Sequence, residues 1–338
     1  MIYIIIGTIV FSVIIFIFAG LIYDHFKLKS KYAELRSKHV VITGGSKGIG
    51  YALAQQCVKA GAHVTVIARN RSDLDRTKLE LIKLANLSKQ NIQTFSADIS
   101  ENVFNIERAL SEAEQMSGPV HLLACCAGTS ISKTFDDTST KEYQRMMDIN
   151  YFGTINTIKA SMDSLKRSAK NTKGGHILIF SSIAGVFGLY GYSAYSGSKF
   201  ALVGLGQCLS MELHSHKISV TISLPPDTDT PGFAEENLSK PEITRLISED
   251  GGLMSPDEVA RQSLNDTLKG EFLSSNGING FMLTSLCAGM APTRSFIKIF
   301  VEIFTMGIFR IFALHFLYTC YQTISKAERN DKQKEKSN

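Results

Sequence analysis

Val40-Val41-Ile42-Thr43-Gly44-Gly45-Ser46-Lys47-Gly48-Ile49-Gly50 reads as a short apolar strand that runs straight into a glycine-rich loop. A helical pattern follows it to Ala60. A continuous apolar run bounded by glycine is what a strand covered on both faces needs. The glycines permit a tight turn and let the backbone approach a pyrophosphate, which then rests on the N-terminus of the next helix. Between a strand and a helix, this loop assigns Gly44, Ser46, Lys47, Gly48, Ile49 and Gly50 to a dinucleotide phosphate cradle. The next strand, Val64 to Ala68, ends at Arg69, where an Asp or Glu would accept hydrogen bonds from the ribose 2′-hydroxyl of NAD. Arg69, with Lys47 in the loop below it, suits a 2′-phosphate instead, because a guanidinium binds phosphate bidentately. The expected cofactor is NADPH.

Strands and helices alternate outward from this stretch. A polar helix is expected over about Arg71 to Leu87, and a third strand ending at Ser96-Ala97-Asp98-Ile99. The fourth strand is Val120 to Cys125, the fifth His176 to Phe180 and the sixth Ile218 to Ser223, with a last domain helix from Pro256 to Leu268. Gly280 to Thr284 reads as a seventh strand. This alternation argues for an α/β domain built on one doubly wound parallel sheet. The 338-residue chain has room for it and for appendages.

The fifth strand delivers Ser181-Ser182, and Tyr192-Ser193-Ala194-Tyr195-Ser196-Gly197-Ser198-Lys199 follows. Four residues apart on a helix, Tyr195 and Lys199 share a face. A phenol near pH 10 exchanges protons poorly at neutral pH, and a neighbouring ammonium is expected to lower its pKa. Ser182, Tyr195 and Lys199 therefore form a proton-transfer set for chemistry at a carbonyl.

With the Thr43-to-Gly50 loop and the Ser182-to-Tyr195 spacing together, the chain resembles the short-chain dehydrogenase/reductase family, a Rossmann-type fold. The resemblance covers about residues 38 to 310. It implies that Asp98 and Ile99 border the adenine pocket and that Ala127-Gly128 pass along the cofactor. It also implies that Tyr195 and Lys199 meet the nicotinamide ribose, and that Thr228 and Thr230 stand where the backbone meets the carboxamide. Asn150, in Asn150-Tyr151-Phe152-Gly153, matches the residue that sits at a helix distortion and holds a water linked to the active-site lysine. The chain departs from the family pattern at Cys125-Cys126, where two asparagines are usual, and at Pro226, where glycine is usual. Side-chain hydrogen bonds that steady the fourth strand are therefore expected to be missing. Pro225 to Asn237, Thr244 to Glu249 and Gly289 to Pro292 resemble a branch of the family that reduces a long-chain 2-amino-1-hydroxy-3-ketone to the amino diol. Phe187, Leu189, Tyr190 and Phe233 are candidates to line an acyl-chain channel. Glu235, Glu236, Asp227 and Asp229 are all candidates to meet the amine. Rival readings are a membrane-bound hydroxysteroid or retinol dehydrogenase with the same tetrad, and a non-catalytic cofactor-binding scaffold.

The termini point to a membrane. Met1 to Tyr23 carries no charge and would span roughly 34 Å as a helix, against a hydrocarbon core of about 30 Å. It lacks the basic start and small-residue cleavage site of a signal peptide. Lys27, Lys29, Lys31, Arg36 and Lys38 follow, so the positive-inside bias leaves the next domain in the cytosol. Ser295 to Tyr321 is apolar except for Arg310 and a narrow stripe that Arg294, Lys298, Glu302 and Thr305 share, the pattern of an interfacial helix or shallow hairpin. Its soluble alternative is a dimer-packing helix, which would make the protein a homo-oligomer. The tail from Lys326 is charged and expected to be disordered. Its last residues, Lys334 to Asn338, resemble the K-x-K-x-x retrieval signal of endoplasmic reticulum membrane proteins.

The expected organisation is thus an anchor over 1–23, a basic linker over 24–37 and a catalytic domain over 38–290. A membrane-associated segment over 291–323 and a cytosolic tail over 324–338 complete it. Four sequons, at Asn70, Asn86, Asn237 and Asn265, are expected to stay unglycosylated on that face. The excess of 36 basic over 31 acidic residues is mild and unclustered, which excludes a nucleic-acid partner. Six cysteines without paired spacing exclude a zinc site of the C-x-x-C kind and fit buried thiols in a reducing compartment.

Overall fold

The computed structural model describes residues 32–337 apart from 102, 173, 249–251 and 294. The expected anchor, Met1 to Tyr23, lies outside the described residues, as does the linker up to residue 31. The domain is a seven-stranded, all-parallel sheet of β1 (His39–Thr43), β2 (His63–Ala68), β3 (Ile92–Ser96), β4 (Val120–Cys125), β5 (Gly175–Phe180), β6 (Ile218–Leu224) and β7 (Leu273–Ser275). Their order is β3-β2-β1-β4-β5-β6-β7. The winding reverses between β1 and β4, so the loops leaving these two strands diverge and open a crevice at the carboxyl edge.

The apolar runs make these strands because both faces are covered. Along β1, Val40 and Ile42 face one layer and Val41 the other, all fully buried. The first layer is α1 (Gly48–Lys59), α2 (Arg71–Leu84) and a helix near the end of the domain, Pro256–Lys269. Leu53, Leu74 and Leu264 fill it. The second layer is α3 (Val103–Ser117), α5 (Gly153–Asn171) and α6 (Ser193–Glu212), with Ile106, Leu165 and Leu202 inside. Helix α4 (Thr140–Met146), opened by a Ser139/Glu142 capping box, leads into α5 through a π-helical turn at Met147–Phe152. After β6 come α7 (Pro231–Glu236), α8 (Glu242–Ser248) and α9, the Pro256–Lys269 helix already placed.

Two expectations change here. The seventh strand is Leu273–Ser275, and Gly280 to Thr284 belongs to helix α10 (Gly277–Leu286). The Thr284 and Ser285 hydroxyls there bond back to the carbonyls of Gly280 and Phe281 at 3.0 and 2.9 Å, helical spacing that a strand cannot offer. Beyond it, α11 (Phe296–Ser337) is one continuous 42-residue helix, about 63 Å long, with neither a hairpin nor a disordered tail. Its Lys298–Ala327 stretch is long and apolar enough to cross a membrane, and holds an 18-residue window of mean hydropathy 1.7, none of it buried. Ile303, Phe304, Ile308, Ile311 and Phe312 are exposed on it. It is tied to the domain at its start, where Lys298 Nζ donates to Glu271 Oε2 at 3.0 Å.

The base of the sheet buries three histidines, His39, His121 and His176. His39 bonds Gly118 O and Thr65 Oγ1, while His121 stands beside His176 and Glu34 with no hydrogen bond to either of its ring nitrogens. Burial pushes the His39 and His121 rings down to about 4. Unfolding restores an ordinary value near 6.5, so between these limits the unfolded chain binds protons that the native one refuses. Stability from this source is complete above about pH 6.5 and falls as the pH drops towards 4, by about 3 kcal/mol for each ring. Urea midpoints measured from about pH 7.5 to 5 should therefore decline, and the slope should lessen in His39→Gln. A level profile would show that these rings titrate normally.

Candidate active site

The glycine loop between β1 and α1 passes so close to β4 that a Cβ on Gly44 (φ +68°) would stand 2.7 Å from Ala127 Cα. Helix α1 begins without a side-chain cap and without an acid in its first turn, so its first N–H groups face the crevice unsatisfied. Lys47 and Arg69 flank it. Each already has an acidic neighbour: Lys47 Nζ lies 2.7 Å from Asp73 Oδ2 and Arg69 Nη1 3.6 Å from Asp98 Oδ2. Partial burial opposes ionisation of Asp98, but hydrogen bonds from Ser100 and the Arg69 charge outweigh it and hold the carboxyl below its ordinary value.

Asn150 is fully buried in the π-helical turn. Its amide nitrogen donates to Thr129 O at 3.0 Å and Ser198 Oγ at 2.9 Å, and its Oδ1 accepts from Thr129 N at 2.9 Å. One side chain thus clips the loop after β4 to helix α6. Cys125 is a free, buried thiol, pushed up to about 12 by its surroundings.

Ser182 caps the short turn after β5, accepting from Ala184 N at 3.2 Å, while Ser181 Oγ donates to Lys199 O at 2.9 Å. Tyr195 and Lys199 share one face of α6, as their spacing requires. The lysine, however, reaches past the phenol: its Nζ donates to Phe180 O at 2.9 Å and sits 5.6 Å from the Tyr195 ring centre. Desolvation pushes the Tyr195 phenol above its ordinary value, opposed by Ser182, with Glu236 and Asp227 raising it further. Burial brings Lys199 down to about 8. The ammonium thus bonds a strand carbonyl and not the phenol.

These groups surround one cleft of about 840 Å³. Every residue assigned above to the cofactor lines it, with Ser182, Tyr195 and Lys199, and Asn150 stands behind. Of the acyl-channel candidates, Leu189 and Phe233 line the cleft and Tyr190 does not. Phe187 instead meets Phe316 of α11 edge-on, with ring centres 6.2 Å apart.

Residues 38–241 match the short chain dehydrogenase family. Relatives include a 3-dehydrosphinganine reductase of Danio rerio, 42% identical over 290 residues and 86% of each chain. A 3-ketodihydrosphingosine reductase of Mus musculus is 40% identical over 92% of this chain and 91% of its own. The 3-dehydrosphinganine reductase TSC10A of Arabidopsis thaliana is 40% identical over 86% and 87%. The chain belongs to the short-chain dehydrogenase family.

As a short-chain dehydrogenase it takes a nicotinamide cofactor, and the cleft fits one. The uncapped α1 terminus offers donors to a pyrophosphate, and a Cβ on Gly128 would intrude to 3.1 Å from Asn150 Oδ1 and 3.5 Å from Lys199 Nζ. Sequence reading missed part of this dehydrogenase's site. Thr129 and Ser198 hold Asn150; Thr129 falls outside every motif, and Ser198 lies between Tyr195 and Lys199 with no role assigned by their spacing. Lys240 pairs with Glu236 at 3.1 Å, and the i,i+4 spacing of the two was the available signal. Tyr192 completes that group by donating to Glu236 Oε1.

Proposed function

We propose that this chain reduces 3-ketodihydrosphingosine to dihydrosphingosine with NADPH, in sphingolipid synthesis. The observation that carries this reading is that relatives matching 86–92% of the chain bear that activity in their names. The preference for NADPH rests on Arg69 and Lys47, both in the cleft and 66% and 49% exposed.

The bound cofactor supplies a hydride to the ketone carbon. Tyr195 gives its phenolic proton to the oxygen, which leaves as the alcohol. Ser182 donates a hydrogen bond to the same oxygen and stabilises the charge that builds on it. Lys199, with a pKa brought to about 8, replaces the lost proton through its neighbours. Asn150 fixes the loop after β4 against α6, and in this reading supports the water that links Lys199 to solvent. Leu189 and Phe233 take the start of the alkyl chain, and the Phe187–Phe316 contact marks its way to α11. That helix associates with the membrane, and the catalytic domain faces the cytosol at the endoplasmic reticulum.

Membranes carrying the full chain should oxidise NADPH with 3-ketosphinganine and not with a ketosteroid or retinal. Preference for the steroid or retinal would move the chain to another dehydrogenase role. No turnover of any of them would favour a cofactor-binding scaffold.

A further inference from the structure

Beside Tyr195 the cleft holds a charged group that none of the steps above uses. Lys240, whose side chain is 2% exposed, has its Nζ 3.1 Å from Glu236 Oε1 and 3.8 Å from Asp227 Oδ2. It lies against the rings of Phe233 and Tyr192, 4.5 and 5.8 Å from their centres. Tyr192 bonds Glu236 and stacks its ring 5.7 Å from that of Tyr195. Glu236 therefore has two close partners. Asp227 has one distant one, and its carboxylate accepts no hydrogen bond among the described residues.

Two carboxylates set against one ammonium leave one negative charge. Where these groups are partly buried, such a charge is costly unless a cation joins it. Burial raises the Asp227 carboxyl above its ordinary value, and Glu236 adds to this against the pull of Lys240. Asp227 is also held where it stands. Met254 N donates to Asp227 O at 3.0 Å and Asp229 N to Met254 O at 2.9 Å, a bridge that pins this segment to the chain before α9. The Asp227 side chain is 33% exposed, lines the cleft and stands 3.8 Å from Lys240 Nζ.

The substrate class proposed above carries a primary amine on the carbon next to the reacting carbonyl. We infer that Asp227 is the anchor for that ammonium, held in place by the Met254 bridge beside the Lys240–Glu236–Tyr192 group. The assignment rests on the amino-ketone reading of the substrate. It singles out one of the four carboxylates that the sequence offered. Glu235 lines the cleft without this ion-pair group, Asp229 does not line it, and Glu236 is already paired.

The test compares kcat/KM for 3-ketosphinganine with that for its desamino analogue, the 1-hydroxy-3-ketone of equal chain length, on the full chain in membranes. Wild type should prefer the amine. Asp227→Asn should cut that preference by about 10–100-fold, chiefly through KM, since a charge-assisted hydrogen bond is lost. Asp227→Glu should restore most of it. Equal losses on both ketones, or an unchanged preference, would overturn the assignment, and the desamino ketone controls for misfolding. Wild type that favours neither ketone over the other overturns it as well. Wild type inactive on both removes the functional reading itself, and the anchor with it.

Discussion

Tyr195→Phe should cut ketone turnover by about 10²–10⁴-fold while NADPH still binds. The change removes one oxygen and leaves the ring, so packing against Tyr192 at 5.7 Å persists. Lys199 is unaffected, because its hydrogen bond goes to Phe180 O and not to the phenol. Ser182 can polarise the carbonyl oxygen but has no base behind it to renew a proton. The phenol alone combines an acidic hydrogen with a place beside Ser182 in the cleft. The measurement is single-turnover NADPH oxidation alongside a cofactor-binding titration by fluorescence. Retained turnover would sink the proton-donor role. Loss of binding would mean that the hydroxyl holds the cofactor instead.

Arg69→Asp should invert the cofactor choice, lowering kcat/KM with NADPH by roughly 100-fold or more and raising it with NADH. The guanidinium is two-thirds exposed and only loosely paired with Asp98, at 3.6 Å, so it is free to turn to a phosphate. An aspartate there would add a carboxylate beside Asp98 and repel the 2′-phosphate, while offering a 2′-hydroxyl two acceptors. Lys47 would remain, but Asp73 holds it at 2.7 Å. An unchanged ratio of the two cofactors in kcat/KM would show that neither cation reads the 2′ position.

The parts of this fold that were legible in the sequence are those fixed by local chemistry. The β1 loop is one, because only glycines turn so tightly beside a neighbouring strand, as the 2.7 Å approach at Gly44 requires. Tyr195 and Lys199 are another, since helical spacing alone puts them on one face. Strand β7 was not legible: Leu273-Ser274-Ser275 is short and polar, and it becomes a strand only because β6 offers it an edge. Gly280 to Thr284 has the apolar residues of a strand, yet tertiary context and hydroxyl-to-backbone bonds make it helical. The tail read as disordered from its charge, but its Lys, Glu, Gln and Ala are good helix formers and prolong a helix already nucleated. Where Lys199 sends its ammonium depends on a strand carbonyl nineteen residues earlier, which no local pattern reveals.

The π-helical turn at Met147–Phe152 sets its residues around the helix axis more closely than an α turn does. A π turn holds one more residue than an α turn, so removing any single residue here would restore an unbroken α ladder with α4 and α5 nearly in phase, and would shift the directions in which the residues of the turn itself point. Asn150 would swing away from Thr129 and Ser198, and the clip between the β4 loop and α6 would open. Exposed positions in this segment should therefore accept exchanges of side chain freely, whereas its length is fixed. A one-residue deletion here should be as damaging as losing Asn150 itself, although it need not touch that residue.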